Sequence, residues 1–385
     1  MMGMSMFLPF LPLYLRQLGV TEPGTLEMMS GLLFAAPFFA ATIATPVWGF
    51  LGDRHGRKLM VVRASLGLTI AVALMGFATT VPQLFFLRLL QGAVSGFVAA
   101  AIALMATSAP RDRMGYALGT LQTAIPSGTI LGPLVGGLLA DQIGARHVFF
   151  VTAGMTLTGA IVVMLLVREG ARSRSTEGFG RILENYHLVF GDLQLRTLFL
   201  ILFACQFALM SLVPVMALFV ESLGAHGRLL ATTTGAVFAV TGLANLIAAP
   251  RWGRRSDRGG YRPTLKAALL GAGAFALPQG LVFAPWQLFL LRIPYGLFIG
   301  GVVPSVHAMI SLRAPADRRA GTLGVTSTAL MLGNLVGPLL GGAVAGAFGL
   351  RSVFFLSGAV FLLILFRFLP RLEEPESQTA SPVGP

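Results

Sequence analysis

Asp53, Arg54, Arg57 and Lys58 crowd one short turn, Trp48-Gly-Phe-Leu-Gly-Asp-Arg-His-Gly-Arg-Lys58, between two strongly apolar runs. The chemistry such a set can do is electrostatic and not covalent. A carboxylate at the C-terminal end of a helix meets the negative end of the dipole, a cost of roughly 0.3–1 kcal/mol, so Asp53 calls for a positive partner. Arg54, Arg57 and Lys58 could supply it, and so could the N-terminus of another helix packed on the turn. Gly56 lets the chain take positive φ and reverse, with Gly49 further upstream in the same run. The arrangement recurs 204 residues later as Arg251-Trp-Gly-Arg-Arg-Ser-Asp-Arg-Gly-Gly-Tyr-Arg262, with Gly253 matching Gly49 and Asp257 matching Asp53.

Two further sets stand inside apolar runs. Arg88 begins Arg88-Leu-Leu-Gln91-Gly92, and a charge there costs at least a few kcal/mol against lipid, so it faces the protein interior or snorkels outward. Arg292 repeats it with Tyr295 in place of the glutamine. Gly128, Gly132, Pro133, Gly136 and Gly137 form G-x-x-x-G-P-x-x-G-G, which allows close helix approach and a local bend.

The elements that must position these residues follow from composition. Of 385 residues, 55% are hydrophobic and 11% charged, and mean hydropathy is +0.79, which excludes an ordinary soluble domain. Apolar runs of about 20 residues, the length that crosses a bilayer core, follow one another end to end. Segments of about ten residues with alternating polarity, the mark of a membrane barrel, are absent. Twelve spans are expected, near 4–18, 27–51, 59–79, 83–106, 115–140, 147–167, 197–220, 229–250, 264–284, 287–311, 320–346 and 351–370. The first is short, and the expectation is that the natural chain starts further upstream.

The net charge of +13 sits in short loops, which argues for topology and against nucleic acid as a partner. Sorted by loop, 22 of the 28 Lys and Arg fall on one side and 4 on the other, placing both basic turns, the central loop and the C-terminus in the cytoplasm. The expected division is a six-helix half over 1–167, a cytoplasmic loop over 168–196, a second half over 197–370 and a disordered tail over 371–385. Within the loop, Phe179, Ile182, Leu183, Tyr186 and Val189 share one face of an amphipathic helix.

Repetition supports the division without any outside knowledge. Leu87-Arg88-x-x-x-Gly92 maps onto Leu291-Arg292-x-x-x-Gly296 at an offset of 204, and Gly132-Pro133-x-x-Gly136-Gly137 onto Gly337-Pro338-x-x-Gly341-Gly342 at 205. Phe149-Phe150 maps onto Phe354-Phe355. A fainter echo, Gly137-x-x-x-Asp141-x-x-Gly144-x-Arg146, repeats the basic turn on the opposite face. Parallel halves built of inverted three-helix units let a central site face either side, which is alternating access.

These patterns resemble three motifs of the major facilitator superfamily of secondary transporters. The turn Gly49-Phe-Leu-Gly-Asp53-Arg-His-Gly-Arg-Lys58 resembles motif A, the cytoplasmic gating element. Arg88, Gln91 and Gly92 resemble motif B, tied in the family to proton coupling, and the span-5 glycines resemble motif C of export-type members. The resemblance covers nearly the whole chain outside the central loop and tail. Together with Phe10-Leu-Pro-Leu-Tyr14 it points to bacterial multidrug efflux proteins of the twelve-span drug/proton antiporter type, in the MdtG-like branch. The fold class it implies is all-α integral membrane: the major facilitator fold, twelve helices in two pseudo-symmetric six-helix halves, the first truncated.

The function implied is proton-driven export of small lipophilic substrates from the bacterial inner membrane, with the proton gradient as energy source and no cofactor. One departure stands out: none of the 15 Asp and Glu lies in the middle of a span. His307, Asp53, Glu27 or a residue lost from span 1 are left as proton carriers, and His307 can equally be a hydrogen-bonded core histidine. A cavity is expected among Phe10, Phe34, Gln122, Gln206, Met210, Phe238, Asn245, Tyr295, Phe298, Met331 and Asn334, where Phe and Met can repack around varied ligands. Each of these has helix packing as its plainer role. Cys205 reads as a small buried hydrophobe, and one cysteine gives neither an internal disulfide nor a metal cluster. There is no G-x-x-x-x-G-K-[ST], no H-E-x-x-H and no G-x-S-x-G, so neither ATP-driven nor enzymatic chemistry is expected. An exporter of a specific metabolite, such as a sugar or amino acid, and a non-transporting receptor are the rival readings. A single chain is expected to form a complete pathway.

Overall fold

The computed structural model describes residues 1–108, 114–167 and 179–374, and among them every regular element is helical. Lipid offers no partners for backbone N–H and C=O groups, so a chain this apolar satisfies them within helices. The first span is α1 (Met2–Met6) and α2 (Leu11–Gln17), joined by a 3-10 turn over Leu8–Phe10 at Pro9. Then come α3 (Thr25–His55), α4 (Arg57–Phe77), α5 (Val81–Ala93) and α6 (Phe97–Ser108), α7 (Met114–Ile143) and α8 (Ala145–Leu166). The surface helix α9 (Phe179–Gly191) precedes α10 (Leu193–Ser211), α11 (Met216–Ser222), α12 (Leu230–Gly259) and α13 (Tyr261–Ala276). The chain ends on α14 (Pro285–Ile299), α15 (Val302–Arg313), α16 (Arg319–Phe348) and α17 (Ser352–Leu363).

Nine stretches of the described residues are long and apolar enough to cross a membrane. The other three expected spans are helices broken in place. Pro9 breaks the first, positive φ at Gly96 separates α5 from α6, and α13 ends in a 3-10 turn at Leu277–Leu281.

The repeat read from sequence reappears as repeated bonding. The Trp48 indole donates to the Ala93 carbonyl at 2.6 Å, and Trp252 to the Leu297 carbonyl at 2.7 Å. Arg146 donates to the Ala78 carbonyl and Arg351 to the Val282 carbonyl, each at 3.1 Å. The four turn glycines Gly56, Gly144, Gly260 and Gly349 have φ of 106°, 87°, 90° and 85°, a region costly to any residue with a Cβ. Each three-helix unit thus turns its second helix into its third in the same way.

Buried apolar residues gather in clusters that follow the chain. One draws on α9, α10 and helices to α17, with Val189, Leu202 and Phe361 inside it. Another is centred on Phe7, Tyr14, Met75 and Phe149. A third, around Met216, Phe219 and Phe354, takes in Leu13 of the first span and so bridges the two. Of the amphipathic face expected in the central loop, Val189 is buried while Leu183 and Tyr186 are 48% and 38% exposed. The side chains of Phe179 and Ile182 lie outside the described residues. The chain does not leave the protein at residue 371 as composition suggested. Leu372 is buried, Glu373 pairs with Arg313 at 2.6 Å, and Glu374 accepts from the Tyr261 and Arg262 N–H groups that open α13. Two acids that read as tail are therefore a helix cap and an ion pair.

Candidate functional site

Two helix crossings organise the molecule, α3 with α16 and α7 with α12, and each is tight at one end only. At the end carrying Gly144 and Gly349, a Cβ on Gly31 would lie 3.2 Å from the Gly342 Cα, and one on Gly346 3.2 Å from the Gly24 Cα. A Cβ on Gly137 would run into the Ala231 carbonyl, and one on Gly235 into that of Pro133. Glycine is what lets these backbones meet. Polar contacts close the same end: Arg16 donates to both carboxylate oxygens of Glu221 at 2.7 and 2.6 Å. Asp141 accepts from the Ala231 N–H at 3.2 Å, the Thr232 N–H at 2.7 Å and the Thr232 hydroxyl at 2.5 Å. A carboxylate from α7 thus sits on the N-terminus of α12, where free N–H groups and the dipole both favour it.

The other end carries the basic turns, and there the crossings have parted. Gly49, Gly119, Gly253 and Gly324 stand 18 residues from Gly31, Gly137, Gly235 and Gly342 respectively, on the same helices. Eighteen residues are five turns, so each pair shares one face. A Cβ on any of the four would meet nothing within 4 Å. The faces that touch at the closed end are open here.

The motif-A residues lie at this open end. Gly56 ends α3 and starts α4, and the Lys58 ammonium donates to the Met164 carbonyl at 2.8 Å. Arg54 and Arg57 flank the turn; the side chain of Asp53, the residue on which the gating expectation rests, lies outside the described residues. Asp257, its counterpart, accepts from the Tyr261 hydroxyl at 3.0 Å.

Arg88 faces the interior, 2% exposed. Its Nε donates to the Leu33 carbonyl at 2.9 Å and its guanidinium to the Gln91 side-chain oxygen at 2.7 Å, between the rings of Phe7 and Phe34 at 5.5 and 5.9 Å. Among the described residues it has no carboxylate partner, so its charge is held by amide dipoles and ring faces. Gly92 brings α5 against the Pro37 backbone of α3. Arg292, the counterpart, has the Met216 sulfur at 3.4 Å, with Nε unpaired.

The motif-C helix α7 uses two of its faces. Gly128, Gly132 and Gly136 admit the backbone of α1 at Met2 and Met6 and the side chain of Ser5, whose hydroxyl donates to the Gly128 carbonyl at 3.1 Å. Gly137 and the Pro133 carbonyl meet α12. The helix is thus packed on the first span and on the opposite half at once.

The expected cavity residues divide. Gln122 and Met331 are exposed, Phe238, Asn245 and His307 half-buried, and the His307 Nε2 has no partner. The Gln206 amide donates to Asn334 at 2.7 Å across α10 and α16, where Met210 flanks Gly337. Phe10, Phe34 and Tyr295 are buried in helix packing, and Phe298, half-buried, stacks on Phe275 and lies against Trp252. The Arg16–Glu221 pair has no counterpart among the sequence motifs, and Asp141 stands in the sequence only as an echo of the basic turn. The matched Gly-x-x-x-Asp spacing was the signal for Asp141; a pair 205 residues apart left none.

The Major Facilitator Superfamily profile matches residues 1–277 and 198–385. The chain is 39% identical over 362 residues to multidrug resistance protein MdtG of Citrobacter koseri, covering 93% of this chain and 88% of that protein. It is 37% identical over 375 residues to MdtG of Escherichia fergusonii, covering 97% and 92%. Among solved structures, the nucleoside transporter NupG superposes with a TM-score of 0.78 at 13% identity, over 97% of this chain and 98% of that one. A bacterial homologue of the lysosomal transporter Spinster, inward-facing and occupied, gives 0.76 at 16%, over 97% and 95%. Bonding repeated at a fixed offset, glycine crossings shut at one end and open at the other, and a profile that spans both parts of the chain lead to one conclusion: this protein is a member of the major facilitator superfamily, a multi-pass membrane transporter and not an enzyme.

Proposed function

We propose that the protein exports lipophilic and amphiphilic compounds across the bacterial inner membrane, with inward proton movement as the driving force. The observation that carries the reading is the α7 helix, whose ordered glycines and Pro133 pack it on the first span and on α12 together, in a chain 37–39% identical to MdtG proteins named for multidrug resistance. The basic end and the C-terminus face the cytoplasm under the positive-inside rule, so this conformation is open inward. Transport requires the basic end to close, bringing Gly49 to α16 and Gly253 to α7 while the opposite crossings separate. Asp53 with Arg54, Arg57 and Lys58 gates that closure. Arg88, which has no carboxylate partner among the described residues, couples it to protons. The cavity is walled by Gln122, Gln206, Met210, Phe238, Asn245, Met331 and Asn334, with His307 near it; their mixture of Met, Phe and few amides suits varied substrates.

The test is efflux of a fluorescent lipophilic cation from cells expressing the protein. Export that stops when a protonophore is added supports the reading. Absence of export of any lipophilic cation, with protein present in the membrane, rejects it.

A further inference from the structure

The gate that is shut here provides a template for the one that is open. Asp53 and Asp141 stand 88 residues apart, as do Gly49 and Gly137, and Gly56 and Gly144. In the receiving helices the offset is 89, since Gly235 and Gly253 of α12 match Gly324 and Gly342 of α16. Under these offsets the Ala231–Thr232 pair that receives Asp141 corresponds to positions 320 and 321, at the start of α16. Half of the receptor is retained there: the first turn of α16, like that of α12, has N–H groups free of intrahelical partners. The other half is missing, because Thr232 contributes a hydroxyl and Gly321 has no side chain.

Another element fills that place. A Cβ on Gly321 would collide with the Asn185 amide of α9, its Cγ 2.7 Å away. Asn185 is 8% exposed, and its Nδ2 is the atom nearest the place a Cβ on Gly321 would take, so a donor faces that place. The surface helix is held in position by Glu184, 3.0 Å from Arg318, and by buried Val189. An amide therefore stands where the side chain of a threonine at 321 would stand.

We propose that Asn185 is the contribution of α9 to the gate at the basic end: when that end closes, its amide donates to the Asp53 carboxylate as the Thr232 hydroxyl donates to Asp141. This rests on the alternating-access reading above and extends it to the central segment, which becomes part of the gate as well as a tether. The Glu184–Arg318 pair holds the amide on α16, so the receptor moves with that helix.

The test uses the full-length protein with a single cysteine, Thr123→Cys on α7 in a Cys205→Ala background, read by its rate of modification with a water-soluble maleimide. That rate reports how often the basic end is open and needs no exported substrate, so it stands apart from the export reading. Asn185→Ala and Asn185→Asp are each expected to raise the rate, about fivefold or more for the aspartate, in the range of ordinary conformational coupling. Two rebuilt pairs are expected to return it towards that of the unaltered gate. Asn185→Ala with Gly321→Thr supplies the hydroxyl from α16 itself, and Asn185→Asp with Asp53→Asn exchanges donor and acceptor. An unchanged rate in both single variants overturns the proposal, and so does a raised rate that neither pair lowers, since that marks Asn185 as packing only.

Discussion

The two ends of the α7–α12 crossing use the same residue types for opposite states. At the closed end Gly137 touches Ala231, and Asp141 sits on the N-terminus of α12. At the basic end Gly119 and Gly253 face open space on the same helix faces, five turns away. The α3–α16 crossing repeats this, with Gly31 and Gly342 together and Gly49 and Gly324 apart. The ends differ in what seals them. The closed end adds an Arg16–Glu221 pair between the halves, whereas the basic end adds a surface helix and a C-terminal clasp through Glu373 and Glu374. At the closed end the contacts are between glycines and backbone, with one carboxylate, Asp141, on the N-terminus of the facing helix.

Substituting the glycines gives the largest expected effects. Gly342→Leu drives a side chain into the Glu27 carbonyl 2.5 Å from its Cβ, so the closed end is wedged apart. A Cβ on Gly324 meets nothing within 4 Å in this state, so Gly324→Leu is expected to leave it intact and to stop the basic end from closing. Both variants are expected to lose more than tenfold in transport rate, with opposite shifts in the labelling of a cysteine at the basic end. Equal labelling of the two would break the comparison.

The two buried arginines come next. Arg88→Ala leaves the Leu33 carbonyl and Gln91 without a charged donor, at about 1–3 kcal/mol for each buried group left unpaired. Arg292→Ala removes a contact to a thioether, a weak acceptor. Transport is expected to fall about tenfold or more for Arg88→Ala and several-fold less for Arg292→Ala, measured as initial rates at matched expression. Equal losses would mean that the coupling assigned to Arg88 is shared by its counterpart. The smallest effect is expected from Arg16→Ala. Its pair with Glu221 is 39% and 23% exposed, so its loss is worth about 0.2–1 kcal/mol. A shift of no more than about fivefold towards opening of the closed end, read with a cysteine at Leu13, is the expected result.

Much of this was legible in the chain itself. Apolar length gave the spans, the offsets of 204 and 205 gave the repeat, and the glycine patterns on α7 and α16 marked the helices that cross. Where helices break was less visible, because Gly96 and Pro9 act through a local dihedral that hydropathy averages away. Long-range pairings were hidden for another reason. That Arg16 meets Glu221, or that Asn185 lies over Gly321, depends on the tilt of one helix against another, which no local pattern records. The acidic Leu372–Glu374 segment reads as tail by composition, yet Arg313 and the start of α13 give its two carboxylates partners.

In the proposed function, closing and opening of these two ends exports lipophilic compounds at the expense of a proton gradient. The most direct measurement is transport by the purified protein in proteoliposomes with an imposed pH difference, following a fluorescent lipophilic cation. The expected result is movement of the cation opposite to the protons, abolished by Gly324→Leu and by collapse of the gradient. Movement that ignores the pH difference, or that survives Gly324→Leu, would contradict it.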